Sequence, residues 1–460
     1  MADPIDSGTT ASGPVVSGQV VPGPVKSNWR SIAGWCVYDW ANSAFNTVIL
    51  TFVFSVYFAK GIVGDEATGS SLWGLTIGMA GLGVALFSPV LGAIADHAGT
   101  RKPWLAVLLT ITVVGTALLW FATPDPGSIT LVIALIVITS ISFELGQVFY
   151  NAMLPSIAPP QAMGRISGLG CGLGYFGGLV CLALCLVLLV QPNPPLFGLA
   201  SETQEPVRAT ALLVALWFTV FALPLFLFTV DRGAAHVLPM GQAVCVGLAQ
   251  LWRNLRYLPR RRDLFRFLIA SALYRDGLGT LFAVGGLYAA GTFGMDFDEI
   301  LIFAIGLNVT AGLGAIAFGW LDDGIGPKTS ILLALAGLIG LGLAVLLVTD
   351  KTWFMGLALA LGLFVGPVQA ASRSLLARLS PPGMTTEVFG LYALTGKSIA
   401  FLGPLIFGWV TFATESQRWG MATIVVFLSL GALLLLTVRQ SVNPRNDLAG
   451  AADTAPPPPP

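Results

Sequence analysis

The chain has 460 residues and a formal net charge of zero, and 55% of its residues are hydrophobic while only 10% are charged. Soluble domains carry about 25% charged residues, so this composition excludes water as the main solvent and indicates an integral membrane protein. Zero net charge gives no general attraction for nucleic acid, and two histidines with five cysteines that form no CxxC pair argue against a metal site, a cofactor or an enzyme.

Residues 1–28 precede the first apolar stretch and are rich in Gly, Ser, Pro and Val. They lack the basic start and apolar run of a cleaved signal peptide, so we expect a disordered N-terminal tail. Residues 441–460 end in five prolines and predict a second disordered tail.

Twelve apolar stretches lie between the tails, and each is long enough for a helix that crosses the bilayer, which takes about 20 mostly apolar residues. Runs such as Leu179–Val190 are apolar throughout, whereas the strands of a barrel would alternate. The sequence therefore predicts an all-α integral membrane protein. The predicted helices cover 31–59, 72–95, 104–122, 129–151, 164–190, 209–230, 264–290, 298–320, 329–349, 352–377, 386–412 and 419–438.

The predicted helices divide into an N-terminal bundle over 29–230 and a C-terminal bundle over 264–440, which an internal repeat relates. A shift of 222 positions aligns the segment between the fourth and fifth helices with its counterpart in the second half, and Gln147 then falls on Gln369. Duplicated halves are typical of secondary transporters. We therefore expect two pseudo-symmetric six-helix bundles around a midplane cavity.

The first predicted helix carries a polar stripe and many aromatic residues. Asp39, Asn42, Ser43 and Asn46 stand at i, i+3, i+4 and i+7, which places them on one face. Polar groups within a bilayer usually face a bundle interior or a water-filled cavity, so this stripe should line the central cavity. The aromatic residues, which offer a stacking wall or, for the first three, an interfacial belt, are Trp35, Tyr38, Trp40, Phe45, Phe52, Phe54, Tyr57 and Phe58.

The loop between the second and third helices joins a glycine-bearing turn, an acid at a helix end and two bases, and the loop between the eighth and ninth helices repeats this arrangement. An acid and a base there can form an ion pair that latches one bundle to the other and breaks when the bundles rock. An ordinary solvated loop is the alternative. The predicted latch residues are Asp96, Arg101, Lys102, Asp322 and Lys328.

Four more helices carry polar residues within their spans, three of them at helical spacing and partly at equivalent positions of the repeat. We predict that they line a pathway for substrate or protons together with the stripe of the first helix. The full set of predicted pathway residues is Asp39, Asn42, Asn46, Glu144, Gln147, Asn151, Asp276, Thr280, Gln369, Arg373 and Lys397.

A carboxylate that is neutral in one conformation and charged in another can couple proton movement to a substrate. Asp39 and Glu144 are the candidates for this role. The alternative for each acid is a fixed ion pair, for example with Arg373. Asp276 can likewise be held by Lys397 or by its neighbour Arg275, which is offset by about 100° on the helix.

Residues 231–263 form a polar linker, and alternating the loops between the two sides of the membrane puts most basic residues on the side of this linker. By the positive-inside rule both termini are then cytoplasmic. The opposite side holds Lys60, Arg208, Lys351 and Arg418. The linker is expected to contain an amphipathic basic segment on anionic lipid, formed by Trp252, Arg253, Arg256, Tyr257, Arg260, Arg261 and Arg262.

The motif of the second loop, Gly92-x-x-x-Asp96-x-x-x-x-Arg101-Lys102, resembles the cytoplasmic loop motif of the major facilitator superfamily. More narrowly, the run Tyr38-Asp-Trp-Ala-Asn-Ser-Ala-Phe45 and the segment Tyr274-x-Asp-Gly277 resemble the vacuole effluxer branch, related to an autophagy-associated amino-acid exporter. This resemblance implies transport of amino acids or similar zwitterions, with Asp39 or Glu144 meeting an ammonium and Arg373 or Lys397 a carboxylate.

We therefore expect a monomeric secondary active transporter in the bacterial inner membrane that moves a small organic solute by alternating access, coupled to protons. Its partners are the small-molecule substrate and the lipid bilayer, without nucleic acid. Uptake of a planar aromatic vitamin such as riboflavin stays open, because the aromatic residues of the first helix and the amides Asn42, Asn46 and Gln147 can serve it. A membrane sensor or scaffold that moves no substrate is the alternative of another class.

Overall fold

The computed structural model describes residues 15–16, 19–20, 28–231, 238–381 and 383–439. Within these ranges twelve helices are long and apolar enough to cross a membrane, which confirms the predicted all-α membrane fold. They are α1 (Trp29–Val63), α2 (Thr68–Ala98), α3 (Lys102–Phe121), α4 (Pro126–Ile157), α5 (Pro160–Val190), α6 (Glu205–Phe228), α7 (Arg262–Phe293), α8 (Glu299–Ile325), α9 (Pro327–Leu347), α10 (Lys351–Leu379), α11 (Thr385–Thr414) and α12 (Gln417–Leu436).

The predicted tails fall mostly outside the described residues. In the N-terminal region the structure describes Asn28 and two paired antiparallel strands of two residues each, β1 (Val15–Val16) and β2 (Gln19–Val20). The predicted C-terminal tail, 441–460, lies wholly outside the described part of the chain.

Helices α1 to α6 form one bundle and α7 to α12 form the other, and their packing repeats. In the first bundle α1 packs against α6, and α4 packs against α2 and α3. In the second bundle α7 packs against α12, and α10 packs against α8 and α9. Each bundle has six spans, so both of its ends lie on one side of the membrane, which we call the linker side.

The two bundles contact each other through α2 with α11 and through α5 with α8. Glycines allow these helices to approach closely. A Cβ atom on Gly92 of α2 would lie 2.6 Å from the carbonyl oxygen of Thr386 on α11, and Gly168 of α5 lies directly against the backbone of Ala315 on α8. Contacts this close are possible only where small residues bring the two backbones together.

A linker helix, Met240–Tyr257, lies across the contact between the bundles. Ala243, Gly247 and Leu251 are buried at a spacing of four, and Gly247 packs against the backbone of Ala93 on α2. The linker helix therefore rests on the first bundle along the face that these three residues form.

The same helix also reaches the second bundle. Asn254 donates both hydrogen bonds of its amide nitrogen to the Glu387 carboxylate on α11, at 2.9 and 3.1 Å. The outer face exposes Cys245, Arg253 and Arg256. The linker helix thus contacts both bundles at once on the linker side.

Two of the membrane helices are irregular near their middle. Helix α1 changes from α-helical to π-helical geometry over Phe45–Phe52, a segment that contains Asn46, the last residue of its polar stripe. Helix α11 consists of two segments, Thr385–Ile399 and Leu402–Thr414, which meet at a break. Irregular backbone within a membrane needs other polar groups nearby to satisfy its hydrogen bonds.

Candidate substrate-binding cavity

A cavity of about 910 Å³ lies between the two bundles. Hydrogen bonds and ion pairs that join described residues of the two bundles lie at mid-membrane level or on the linker side, where they close the cavity. From there the cavity extends toward the opposite side. Nine of the eleven predicted pathway residues line it, namely Asp39, Asn42, Asn46, Glu144, Gln147, Asn151, Gln369, Arg373 and Lys397.

Arg373 of α10 crosses to the first bundle at the floor of this cavity. Its Nη1 donates to Asp39 Oδ2 at 2.9 Å and to Asn151 Oδ1 at 3.1 Å. Its Nε and Nη2 donate to the hydroxyl and carbonyl oxygens of Ser167 at 2.9 and 2.7 Å, and the guanidinium carbon lies 4.8 Å from the centroid of the Trp35 ring. The guanidinium group thus binds α1, α4 and α5 together, and Asp39 is in the fixed ion pair that the sequence offered as the alternative.

A second ion pair joins the bundles at mid-membrane level. Lys397 of α11 donates to Glu144 Oε1 of α4 at 2.7 Å, so the partner of Glu144 is Lys397 and not Arg373. The two side chains are 29% and 33% exposed, whereas those of Arg373 and Asp39 are 11% exposed each. The Glu144–Lys397 pair is therefore the one that a solute in the cavity can reach.

Arg275 of α7 also faces the cavity, and it forms no ion pair with a described residue. Its Nη1 donates to the carbonyl oxygen of Tyr392 at 3.1 Å, and its guanidinium carbon lies 4.1 Å from the centroid of the Tyr392 ring. The cavity lining therefore has three positively charged and two negatively charged side chains. This excess of positive charge favours an anionic group such as a carboxylate. The charged lining residues are Asp39, Glu144, Arg275, Arg373 and Lys397.

The two walls of the cavity differ in polarity. The first bundle presents the amides of Asn42, Asn46 and Gln147. The wall formed by the second bundle is mostly apolar, and its members include Leu281, Phe282, Phe303, Leu307, Leu338, Val345, Phe354, Leu361, Met421 and Ile424. A solute with a polar head and an apolar body matches this division, and the volume lies within the usual range of about 300–1,000 Å³ for ligand pockets.

The aromatic residues predicted to form a stacking wall lie elsewhere, with the exception of Phe52, which lines the cavity. Trp35 and Tyr38 stack on Tyr150 of α4, with ring centroids 4.6 and 4.8 Å apart, and both are buried. The interfacial belt is therefore wrong for these two residues, because they pack α1 against α4. Trp40 packs on Trp217 of α6. Of the features on which the planar-vitamin alternative depended, the three amides line the cavity and the aromatic wall of the first helix, apart from Phe52, does not.

Asp276 and Thr280, the other two predicted pathway residues, are buried between α7 and α11 and do not line the cavity. Asp276 Oδ2 accepts the backbone N–H of Gly403 at 2.9 Å. The predicted ion pair of Asp276 with Arg275 or Lys397 is not formed. The reason is the offset of about 100° between neighbouring residues on a helix, which turns Arg275 to the cavity while Asp276 faces α11.

On the linker side, Asp96 of α2 caps the first segment of α11. Its two carboxylate oxygens accept the backbone N–H groups of Thr386 and Glu387 at 3.2 and 2.9 Å. Arg101 lies 3.4 Å from the same carboxylate and donates to Thr386 Oγ1 at 2.8 Å. A carboxylate at a helix N-terminus also interacts favourably with the helix dipole. Asp96 and Arg101 thus join the two bundles in this conformation, and their role as a latch that breaks during rocking stays a prediction.

The equivalent acid in the second half is Asp323, not the predicted Asp322. Asp323 of α8 accepts the backbone N–H groups of Gly164 and Arg165 of α5, at 2.7 and 3.2 Å. Both carboxylate oxygens of Asp322 are without a hydrogen-bond partner among the described residues, and its nearest cation, Arg378, is 3.8 Å away.

Spacing would have identified Asp323, because it follows Gly319 by four residues just as Asp96 follows Gly92. A second missed residue is Asn308, which lines the cavity from α8. Its signal was a lone amide within an apolar helix, where an unsatisfied polar group is costly.

The two predicted latch lysines contact their own bundles instead of joining the two. Lys102 donates from Nζ to the carbonyl oxygen of Phe226 at the end of α6, at 2.9 Å. Lys328 donates to the carbonyl oxygens of Leu436 and Val438 at the end of α12, at 2.9 and 2.6 Å. A helix C-terminus leaves carbonyl groups free and attracts cations, so each lysine caps the last helix of its own bundle.

Comparison with known proteins identifies a family whose sequences this chain matches. The sequence profile of the family described as "Vacuole effluxer Atg22 like" matches residues 56–446. The chain is 26% identical over 414 residues to the uncharacterized MFS-type transporter YxiO of Bacillus subtilis, covering 89% of this chain and 95% of that protein. It is also 26% identical over 318 residues to autophagy-related protein 22-1 of Neosartorya fischeri, covering 64% of this chain.

The chain spans about half the length of this fungal relative, 51%. Among solved structures, that of the human organic anion transporter MFSD10 (TETRAN) matches with a TM-score of 0.69 and 17% identity, covering 88% of this chain and 99% of that chain. At this identity the match concerns the fold alone.

Proposed function

The chain belongs to the family of Atg22-like vacuole effluxers, membrane transporters with the major facilitator fold, and from this membership we propose that it moves an amino acid or a similar zwitterion by proton-coupled alternating access. The observation that carries the substrate class is the charge of the cavity lining. Arg275 supplies a cation that has no acidic partner among the described residues, and the accessible Glu144–Lys397 pair supplies one charge of each sign. A zwitterion needs both signs, with a net preference for its carboxylate.

The walls indicate which zwitterions fit best. A carboxylate held by Arg275 and an ammonium held by Glu144 would leave the rest of the solute against the apolar wall of the second bundle. Burial of apolar area there contributes roughly 25 cal/mol per Å², so bulky apolar side chains should bind better than small or charged ones.

The described conformation represents one half of the cycle in this proposal. The linker side is closed by Asp96, Asp323 and the Asp39–Arg373 pair, so a solute enters from the opposite side. We take the linker side as cytoplasmic, with the protein in the bacterial inner membrane, because basic residues concentrate there. In the other half of the cycle the bundles rock, these contacts separate and the cavity opens to the cytoplasm.

Counterflow in proteoliposomes tests the proposal. Labelled amino acids should accumulate against an internal pool of the same solute, and bulky apolar ones should compete best. Exchange with none of a broad panel of amino acids would contradict the substrate class, and exchange with no solute at all would favour the sensor or scaffold.

Arg275→Gln tests the carboxylate contact. Loss of a charge-assisted hydrogen bond costs about 1.5–3 kcal/mol, so the half-saturating concentration should rise roughly 10- to 100-fold. The variant should no longer distinguish an amino acid from its amide, which lacks the carboxylate. Arg418→Gln is the matched control, because Arg418 donates to the carbonyl oxygen of Leu346 and does not line the cavity. Equal affinity loss in both variants would argue against a carboxylate site at Arg275.

A further inference from the structure

The break in α11 lies beside a buried carboxylate that the substrate cavity does not use. The second segment of α11 begins at Leu402, and its first N–H groups have no partner within that segment. The N–H of Gly403 donates to Asp276 of α7 at 2.9 Å. Gly403 is needed there, because a Cβ atom would overlap Thr280 Oγ1 and lie 3.2 Å from both carboxylate oxygens. Asp276 therefore caps a half-helix within the membrane from a neighbouring helix.

Asp276 is 4% exposed, and its Oδ1 has no hydrogen-bond partner among the described residues. No described cation lies within 4 Å of it. The cations on the helices packed around it have other contacts: Arg275 with Tyr392, Lys397 with Glu144, Arg373 with Asp39, and Arg418 with Leu346.

The other neighbours of Asp276 add no charge. Helix α12 packs against α7 at Gly277, and over 421–436 it has no ionisable residue. The ionisable side chains of Tyr274 and Tyr392 lie close by, but neither can be positively charged. Tyr274 bonds to the Ser372 hydroxyl at 2.6 Å. Asp276 thus differs from Asp39 and Glu144, which both have a cation within 3 Å.

This difference decides which of the three acids predicted for the pathway can exchange a proton at low cost. Protonation of Asp39 or Glu144 would leave Arg373 or Lys397 as an unpaired charge, and an unpaired buried charge is strongly unfavourable. Protonation of Asp276 removes an unpaired charge instead, and the O–H can form at Oδ1 while Oδ2 still accepts from Gly403. Loss of the negative charge also weakens the cap, because charge-assisted hydrogen bonds are roughly twice as strong as neutral ones.

The geometry points to Asp276 as the residue that binds and releases the coupled proton, with its protonation state linked to the break in α11. In this conformation Asp39 and Glu144 are each paired with a cation and are not the acids that exchange the proton. This inference rests on the proton coupling of the proposed function, and it replaces the two acids that the sequence favoured for that role.

Asp276→Asn is the test, because the amide oxygen can still accept from Gly403 while the side chain cannot titrate. In proteoliposomes the variant should retain counterflow, which needs no proton gradient. It should lose both the stimulation of transport by a pH gradient and the solute-driven proton movement seen with an internal pH dye. Asp125→Asn is the control, because Asp125 lies in an exposed loop and should keep both.

The possible outcomes distinguish a failure of this inference from a failure of the proposed transport function. Normal pH-gradient stimulation in Asp276→Asn overturns the inference and leaves the transporter intact. Stimulation by a sodium gradient in place of a pH gradient in the unaltered protein overturns it as well. Absence of counterflow in the unaltered protein contradicts the proposed function instead.

A measurement on the unaltered protein covers the case in which the variant does not fold. Infrared difference spectra between low and high pH should show the carbonyl stretch of a protonated carboxyl group in a non-aqueous environment. No such band at any pH at which the protein is folded overturns the inference.

Discussion

At the scale of single residues, Arg373 shows how far the sequence can predict a site. Its place in a span and its position in the repeat predicted that it faces the cavity, and it does. The identity of its partners depends on how α1, α4 and α5 pack around α10, which no spacing within one helix reveals. The same holds for Asp276, which the sequence predicted to line the pathway, whereas the structure turns it toward a break in α11 that lies 127 positions away at Gly403.

The Asp39–Arg373 pair should behave as a buried ion pair. Removal of one partner leaves an unpaired charge, which costs about 3–5 kcal/mol, whereas removal of both leaves none. Asp39→Asn and Arg373→Gln should each lower the thermal unfolding temperature of the purified protein clearly, and the double variant should lie between wild type and the single variants. Losses that simply add in the double variant would show that the two side chains act independently.

At the scale of elements, the helices were predictable and their irregularities were not. Apolar length alone predicted all twelve spans, because the bilayer demands it of any crossing helix. The break in α11 has a partner on another helix, Asp276, so no local pattern predicted it. The π-helical turns of α1 were not predicted either. The close contacts of α2 with α11 and of α5 with α8 depend on glycines that can approach another backbone.

Gly92→Val should prevent closure of the linker side, because the Cβ atom of the valine would lie 2.6 Å from the Thr386 carbonyl oxygen. A cysteine introduced at Asn151 on the cavity floor should then react faster with a membrane-impermeant thiol reagent added on the linker side. Gly78→Val in the same helix is the control, since no atom lies within 4 Å of a Cβ at that position. Equal reaction rates in the two variants would contradict the role of Gly92.

At the scale of the whole molecule, the two halves use the same devices at equivalent places. Asp96 and Asp323 each cap a helix of the opposite half, and Lys102 and Lys328 each cap the last helix of their own. The linker helix is the exception to this symmetry, because it exists once and contacts both bundles. The sequence predicted the basic composition of the linker but not its contact with α11.

Asn254→Ala should favour opening of the linker side, because it removes the contact between the linker helix and Glu387 on α11. Hydrogen exchange at the start of α11, around Thr386, should become faster in the variant, since this segment loses its hydrogen bonds to Asn254. Gln242→Ala on the exposed face of the same helix is the control. Unchanged exchange in Asn254→Ala would show that the linker helix does not brace the closed state.

The position of the linker helix also gives the protein a natural attachment point for an optical reporter. Cys245 is exposed on its outer face, whereas Cys36, Cys181 and Cys185 are buried and Cys171 is partly buried. A maleimide dye should therefore label the native chain almost selectively at this one thiol. Paired with an acceptor dye on the second bundle, such a label would let single molecules be watched as the helix separates from α11, with no native residue replaced on the linker helix.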